Sequence, residues 1–244
     1  MEVGDQSAPG HPEIYRVVAD NPGPMTLTGT NTYLYGSDPC WVIDPGPDDQ
    51  RHIAAVIAEA GKRGGAGGAL LTHSHNDHSG GVEALGIELS RPVDGQACGG
   101  LTAIATPGHA VDHFCFMTDD SVCFSGDLIL GWGSTYVPPD GGSLTAYMDS
   151  LRLIRALEPE LICPGHGPFI TDPRAKVDEY LEHRESRERG LIEAMDRGVR
   201  SRMALLDEVW SDVHAQLRPA ANVVMEAHLQ KLEAEGRLPG DLGE

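Results

Sequence analysis

His73-Ser-His75-Asn-Asp77-His78 places four potential metal ligands within six residues, directly after the short apolar stretch 69–72. His73 and His75 are two positions apart, so in an extended turn both side chains project the same way. Asp77 and His78 follow one turn later, where a helix is expected to begin, and they reach toward a second point nearby. Imidazole and carboxylate groups suit zinc, and also iron or manganese. This order of residues predicts a metal site rather than a surface loop that is rich in histidine by chance.

Three further ligand candidates, His109, Asp127 and His166, each follow a short apolar strand and lie beside a glycine. Open α/β sheets place their ligand sites at strand ends, so we expect these side chains to converge with the first four. The seven candidates, five His and two Asp, suit two metal ions that share one carboxylate and one water.

The hydrophobic pattern alternates short strands with helices, which predicts an α/β layered domain. Strands are predicted over 31–35, 40–43, 69–72, 102–105, 114–117, 122–124 and 161–163, and helices over 51–60, 144–157 and 173–189. Gly61 is predicted to cap the first helix. The chain before Met25 is predicted to be irregular because it is rich in Gly, Pro, Ser and Thr.

The character of the sequence changes after Gly190, where three short helices are predicted over 191–195, 203–210 and 221–232. Such a segment is compatible with a helix-turn-helix or winged-helix appendage. We therefore divide the chain into a catalytic domain, 1–190, and a small helical C-terminal segment, 191–244. That segment holds six Lys/Arg against ten Asp/Glu, whereas a helix that reads DNA normally carries a basic face. Packing against the main domain, where the segment shapes the cleft or a homodimer interface, is the stronger interpretation.

Composition and charge limit the partners and the compartment. The formal net charge of −19 repels polyanions and counts against non-specific binding of nucleic acid. No apolar run approaches the roughly 20 residues that span a bilayer, and the acidic start Met1–Asp5 does not resemble a secretory signal. We predict a cytoplasmic protein without a membrane partner. The five cysteines, an odd number without a CxxC motif, are predicted to be reduced and to act as small apolar residues.

The ligand blocks together resemble the metallo-beta-lactamase fold superfamily over roughly residues 20–190. The resemblance implies a four-layer αβ/βα sandwich with the site at one edge of its two sheets. It also implies a ligand assignment: one metal ion is held by His73, His75 and His109, the other by Asp77, His78 and His166, and Asp127 bridges them. The segments 25–33, 42–47 and 131–133 further resemble the beta-lactamase-like protein 2 group, which carries a winged-helix-like C-terminal segment. The chain is shorter than expected between Leu85 and Leu101, a loop that can line the substrate cleft.

This resemblance implies a hydrolase in which a hydroxide shared by two zinc ions attacks a thioester, an ester or a phosphodiester. Asp77 is the predicted catalytic residue, because it binds metal and orients the nucleophile, and no side chain is expected to attack the substrate. One alternative is an endonuclease for single-stranded RNA, an activity linked to animal members of the group. Others are a sulfur dioxygenase with a single iron and a DNA-binding regulator, whereas beta-lactam hydrolysis is disfavoured.

Several polar residues outside the ligand set have roles that the sequence pattern leaves open. Asp44 ends a strand, and it either orients a metal-bound histidine or simply serves the turn before Pro45. Asn31 is a candidate for substrate contact, with a turn role favoured, and Ser125 is expected to serve its turn. His113 is expected to cap an element or face solvent. The remaining histidines have no ligand-like setting and are predicted at the surface: His11, His52, His183, His214 and His228.

Overall fold

Two five-stranded β-sheets face each other in the computed structural model, which describes residues 6–243. The first sheet has the order β1-β2-β3-β4-β5 and is formed by Ser7–Ala8, His11–Val18, Asn31–Tyr35, Cys40–Ile43 and Ala66–Leu70. The second has the order β10-β9-β8-β7-β6 and is formed by Leu161–Pro164, Val122–Gly126, Phe114–Thr118, Leu101–Ala105 and Ala97–Cys98. Strands β4 and β5 run parallel, as do β9 and β10, and the other neighbours are antiparallel.

Successive side chains of a strand alternate between the central core and an outer layer, as the pleat requires. In β3, Tyr33 packs between the sheets, while Leu34 packs outward in a cluster with Val56 and Ala60. In β8, Phe116 points inward and Cys115 packs outward with the helices that cover the second sheet. Each sheet is therefore buried on both faces, which explains its short, nearly continuous apolar strands.

Helices cover the outer face of each sheet and complete four layers. The helices of the catalytic part are α1 (Gln50–Gly61), α2 (Asn76–Ser79), α3 (Val82–Leu85), α4 (Leu144–Leu157) and α5 (Pro173–Asp196). Asp49, Ser143 and Asp172 cap α1, α4 and α5 by accepting a backbone N–H, as N-cap side chains do. The predicted αβ/βα sandwich is confirmed. Gly61 is the last residue of α1 rather than its cap, which is Lys62.

The prediction that the chain is irregular before Met25 was wrong. Strands β1 and β2 lie there, and β2 pairs along its length with β3. In β2 the polar His11 and Glu13 alternate with the buried Ile14, and the charged Arg16 is itself buried. This strand lacks the apolar run that marks the others in the sequence, so tertiary pairing, not composition, determines its structure.

The prediction of a separate helix over 191–195 was also wrong, because α5 continues without a break through Gly190 to Asp196. A Cβ atom on Gly190 would lie 3.1 Å from Val209 Cγ1, so this glycine allows α6 to approach rather than ending the helix. The C-terminal part continues with α6 (Arg202–Val209), a short 3-10 helix and α7 (Arg218–Ala234). These helices share a core with the end of α5 that includes Leu191, Leu205, Trp210, Met225 and Leu229.

Two further sequence expectations concern the cysteines and the membrane. All five cysteines are unpaired and lie in strands, and all except Cys98 are buried, in agreement with a packing role. Across residues 6–243 there is no helix of the length and apolarity that a bilayer crossing requires.

Candidate metal centre

The seven predicted ligands lie in the segments that leave the carboxyl ends of four strands, with Asp77 and His78 on the short helix α2. The 73–78 stretch follows β5, and His109, Asp127 and His166 follow β7, β9 and β10. Although these loops are far apart in sequence, their His and Asp side chains form overlapping groups whose ligand atoms lie within 4.8 Å of one another. The convergence predicted from strand ends is therefore observed.

The first group consists of His73, His75 and His109. His75 Nδ1 lies 2.9 Å from His73 Nε2 and 3.0 Å from His109 Nε2. Atoms this close can share one ion at the zinc–nitrogen distance of about 2.0–2.1 Å. His73 and His109 are buried, whereas His75 is exposed, so the group has one open side.

The second group consists of Asp77, His78 and His166. His166 Nε2 lies 3.3 Å from Asp77 Oδ2, and His78 Nε2 lies 3.6 Å from the same oxygen. Asp127 stands between the two groups. Its Oδ1 is 3.4 Å from both His78 Nε2 and His166 Nε2, while its Oδ2 is 3.7 Å from His109 Nε2. One carboxylate oxygen therefore faces each group, as a bridging ligand requires.

Four of the five histidine rings are oriented by hydrogen bonds on the side away from the cluster. His109 Nδ1 donates to the Tyr136 carbonyl over 2.7 Å, and His166 Nδ1 donates to the Gly29 carbonyl over 3.2 Å. A carbonyl only accepts, so Nδ1 carries a proton and Nε2 is the nitrogen that faces the cluster. His73 and His78 are held in the same way, by Thr72 Oγ1 and by Asp44.

Asp44 organises two of the ligand positions. Its Oδ2 accepts from His78 Nδ1 at 2.9 Å and from Thr72 Oγ1 at 2.8 Å, while its Oδ1 accepts from the Thr72 N–H at 2.7 Å. It adopts a left-handed backbone conformation, with φ of 51°, which is strained for a residue with a side chain. This arrangement supports the orienting role that the sequence left open against a turn role.

Buried charges shift the pKa values of the cluster in opposite directions. Burial, together with the neighbouring His78, holds the pKa of His73 far below its usual range. Burial also acts to lower the pKa of His166, but the adjacent Asp127 and Asp77 carboxylates raise it to about 9. Burial disfavours the ionised form of Asp127, yet the His166 and His78 rings hold its pKa well below the usual value. The carboxylates are therefore ionised at neutral pH, as metal ligands must be.

The donor set fits metal ions by a test that is independent of sequence patterns. His78 Nε2 and Asp127 Oδ1 are both buried, and neither has a hydrogen-bond partner among residues 6–243. Buried polar atoms are rarely left in this state, because an unmade hydrogen bond costs about 1–3 kcal/mol. Both atoms point into the cluster, where an ion would satisfy them. The set contains imidazole and carboxylate but no thiolate, which suits zinc, iron or manganese.

The sequence did not identify His113 as part of this region, and the expectation that it faces solvent was wrong. His113 is 1% exposed, its Nδ1 lies 2.9 Å from Thr106 Oγ1, and its ring centroid is 5.2 Å from that of His73. Burial and the nearby His109 lower its pKa to about 3. A neutral ring therefore packs behind the ligand His73. A second histidine four residues after His109 was the available signal.

Three other histidines predicted at the surface are not there. His52 is buried and bonded to Thr32 Oγ1 over 2.7 Å, and His228 is completely buried near Trp210. His183 is half-buried and lines a cavity. These three lie on helices whose buried faces the sequence pattern did not resolve. His214 is exposed as predicted, and His11 is half-buried in β2.

The side chains of Asn31 and Ser125 are held by hydrogen bonds to backbone carbonyls. Asn31 is 1% exposed, and its amide donates to the carbonyls of Pro164 and Gly167. It therefore fixes the loop that carries His166, while a contact of Asn31 with substrate stays a prediction. Ser125 is buried and donates to the Ile129 carbonyl over 3.0 Å, which agrees with its expected role in the turn.

A cavity of about 420 Å³ opens from the cluster. Five of the ligands contribute to its wall: His75, Asp77, His109, Asp127 and His166. Much of the remaining wall is apolar and comes partly from the C-terminal helices, with Leu27, Leu130, Trp210, Val213, Leu217 and Val224 among its residues. The C-terminal segment thus shapes the cleft, which is one of the two roles predicted for it.

A substitution at Gly165 tests whether the ligand loops must pack this closely. A Cβ atom there would lie 2.5 Å from Asp127 Oδ1 and 2.7 Å from His78 Cε1. We expect Gly165→Ala to displace both side chains and to weaken metal binding by about 10–100-fold, as other disturbances of ligand orientation do. Competition with a chromophoric chelator measures this. Gly61→Ala, where a Cβ meets nothing within 4 Å, is the control, and equal affinities in the two variants would contradict the expectation.

Comparison with known proteins places this geometry in a family. Residues 25–90 and 86–166 match the metallo-beta-lactamase superfamily. The chain belongs to that superfamily. Residues 201–238 match the beta-lactamase associated winged helix domain, so this metallo-beta-lactamase fold carries a winged helix domain after it, as the sequence resemblance implied.

Relatives of the chain within the metallo-beta-lactamase superfamily differ in name. The chain is 31% identical to "Beta-lactamase-like protein 2 homolog" of Drosophila melanogaster, over 92% of this chain and 89% of the relative. It is 40% identical to "Atrochrysone carboxyl ACP thioesterase" of Aspergillus chevalieri, over 75% of this chain and 66% of the relative. A metallo-beta-lactamase family protein of Thermus thermophilus superposes with a TM-score of 0.76 at 22% identity, covering 93% of this chain and 95% of that one.

Proposed function

We propose that the chain is a binuclear metal-dependent hydrolase that cleaves thioesters or esters whose acyl chain is largely apolar. The observation that carries this proposal is the union of two features in one cavity. The His and Asp side chains form two adjoining groups at the base of the cavity. Apolar side chains of the winged helix domain contribute to the rest of its wall. The thioesterase name of one relative supports this choice of substrate.

His73, His75 and His109 would hold one metal ion, Asp77, His78 and His166 the other, and Asp127 both. Two zinc ions bound in this way would lower the pKa of a shared water toward neutrality and polarise the scissile carbonyl. Asp77 is half-buried at the cavity wall, so a carboxylate oxygen can accept a hydrogen bond from the attacking water and orient it. Ser125 is buried and bonded within its turn, which leaves it unsuited to act as a nucleophile.

The charge of the cavity favours an acyl substrate over RNA. The cations on its wall are Arg184 and Arg187, and Arg187 is paired with Asp212. Proteins that bind single-stranded nucleic acid normally offer a positively charged groove along the backbone, whereas this chain has a net charge of −19. An apolar wall instead stabilises an acyl chain by about 0.8 kcal/mol for each methylene group that it buries.

Metal analysis and a substrate screen test this function together. We expect two equivalents of metal per chain and hydrolysis of thioesters, with kcat/KM rising on the order of 100-fold from acetyl to hexanoyl because of the four added methylene groups that the wall buries. A chelator should abolish the activity and zinc should restore it. Short single-stranded RNA and a phosphodiester reporter are screened in parallel.

Other outcomes of the screen would support the competing functions. Cleavage of RNA without thioester hydrolysis would favour the endonuclease. One equivalent of iron with oxygen consumption on a persulfide would favour the sulfur dioxygenase. DNA binding that survives moderate salt would favour the regulator. The unpaired thiols of the five cysteines suit the reducing cytoplasm that we propose as the compartment.

A further inference from the structure

One part of the cavity wall is basic, although the chain as a whole is acidic. Helix α5 contributes three residues to this part of the wall: the adjacent His183 and Arg184 and, about one turn later, Arg187. We call this set the basic wall. It lies where α5 passes from the catalytic domain to the winged helix domain, opposite residues such as Trp210 and Val224 of the C-terminal helices.

Arg184 is the unusual member of the basic wall. Its side chain is among the largest in the protein to be fully buried, with 1% exposure. Its contacts within residues 6–243 are the Thr135 carbonyl, to which Nη2 donates, and the Tyr147 ring and hydroxyl. None of these is a carboxylate, and Nε has no partner there. A buried guanidinium without a counter-charge is costly, because the desolvation penalty is not repaid.

The groups around Arg184 do not neutralise it. Arg187 forms two 2.9 Å hydrogen bonds with Asp212 and a third to the Val209 carbonyl, so that pair is locally neutral. His183 Nδ1 is buried without a partner, and so are both ring nitrogens of His228, which lies beside the Trp210 ring. With the Nε atoms of Arg184 and Arg187 included, five buried polar atoms of four residues are without partners in this region of the described chain. Of these residues, His183, Arg184 and Arg187 line the cavity, so their side chains are the ones within reach of a ligand there.

We propose that Arg184, flanked by His183 and Arg187, binds an anionic group of the substrate that is remote from the scissile bond. The ligand chemistry is that of a carboxylate or a phosphate, both of which a guanidinium binds through two parallel hydrogen bonds. This inference rests on the proposed function, because the same cavity holds the scissile bond over the metal ligands. Arg184 then selects among acids of similar length, while the apolar wall binds their methylene groups.

Matched pairs of thioesters test the selection. Succinyl, glutaryl and adipyl thioesters are compared with butanoyl, pentanoyl and hexanoyl thioesters, which have the same chain lengths without the terminal carboxylate. We expect Arg184→Met to lower kcat/KM for the best diacid by about 10-fold or more, the effect of losing a charged hydrogen bond, and to change the neutral partner less than about twofold. Arg189→Met, on the exposed side of the same helix, should change neither. An equal loss for both members of a pair would show a structural role and would overturn the proposal.

A binding measurement separates this proposal from the hydrolase function. Trp210 lines the same cavity, and the Arg187 guanidinium lies over its ring, so tryptophan fluorescence should report an anion. Glutarate and inorganic phosphate are titrated into the metal-loaded wild type, Arg184→Met and Arg189→Met. We expect at least one of the two anions to bind about 10-fold more weakly to Arg184→Met than to the wild type, with no such change in Arg189→Met. The anion that shows this loss identifies the anionic group that the site binds, a carboxylate or a phosphate.

This titration needs no turnover, so it remains decisive if thioesters are not substrates. Equal binding of both anions to all three proteins, or no binding to the wild type, would overturn the proposed anion site. If Arg184→Met does not fold, Arg187→Met serves instead, because its side chain is less buried and its loss leaves the exposed Asp212 and the Val209 carbonyl without their partner. We expect that variant to weaken binding of the same anion by about 3-fold or more.

Discussion

His75→Ala is expected to abolish hydrolysis, lowering kcat/KM on the order of 10³-fold, or about 4 kcal/mol of transition-state stabilisation. His75 Nδ1 is the atom that lies 2.9 and 3.0 Å from the two other nitrogens of its group. Without it, that group keeps only His73, His109 and the shared Asp127, which leaves the ion poorly held. Metal content should fall from two equivalents toward one.

The fold should survive this change, because His75 is exposed and its ring contacts only other members of the site. The far-UV circular dichroism spectrum and thermal midpoint should therefore match those of the wild type. Ser74→Ala, an exposed neighbour on the same loop, is the control and should retain full activity. Full activity in His75→Ala would refute the metal centre itself, whereas lost activity with lost structure would point to an unexpected folding role.

Asp44→Ala is expected to have the largest effect on stability, lowering the free energy of unfolding by about 3–5 kcal/mol, as the loss of one partner from a buried charged network does. The change would leave the Thr72 N–H, the Thr72 hydroxyl and His78 Nδ1 without their acceptor. Since His78 would then be free to rotate, metal affinity should also fall by about 10–100-fold. Urea denaturation with chelator present measures stability, and chelator competition measures affinity.

Two companion variants show whether the charge or the shape of Asp44 matters. Asp44→Asn keeps an oxygen for the Thr72 N–H but removes the charge, so it should lie between the wild type and Asp44→Ala in stability. Asp48→Ala, an exposed aspartate on the same loop, should differ from the wild type by less than about 0.5 kcal/mol. If Asp44→Ala were as stable as Asp48→Ala, the carboxylate would serve only the turn before Pro45.

The convergence of the seven His and Asp side chains could be predicted from the sequence because their signal is local. Four ligand types fall within six residues, and each of the other three follows an apolar strand and adjoins a glycine. The rule that strand ends meet at one edge of a sheet then brings them together without knowledge of the strand order. The hydrophobic pattern also predicted α4 with its observed bounds, Leu144–Leu157.

The surroundings of the ligands could not be predicted, because they depend on contacts between distant segments. The acceptors for His109 and His166 are backbone carbonyls of Tyr136 and Gly29, which any residue type would supply. His113 and His228 are buried through tertiary packing, which the sequence around them did not indicate. The continuity of α5 through Gly190 was hidden for a similar reason, since contact with Val209 decides the role of that glycine.

The unbroken course of α5 has a consequence for how such an enzyme can change. The residues proposed to activate water lie on loops at the sheet edge, whereas the residues proposed to choose the acid lie on α5 and the helices after it. Substitutions on these helices would therefore change the substrate specificity and leave the hydrolytic step unchanged. Because one unbroken helix, α5, joins the catalytic part to the winged helix domain, a substitution that changes substrate preference would leave the position of the cavity wall relative to the metal ligands unchanged.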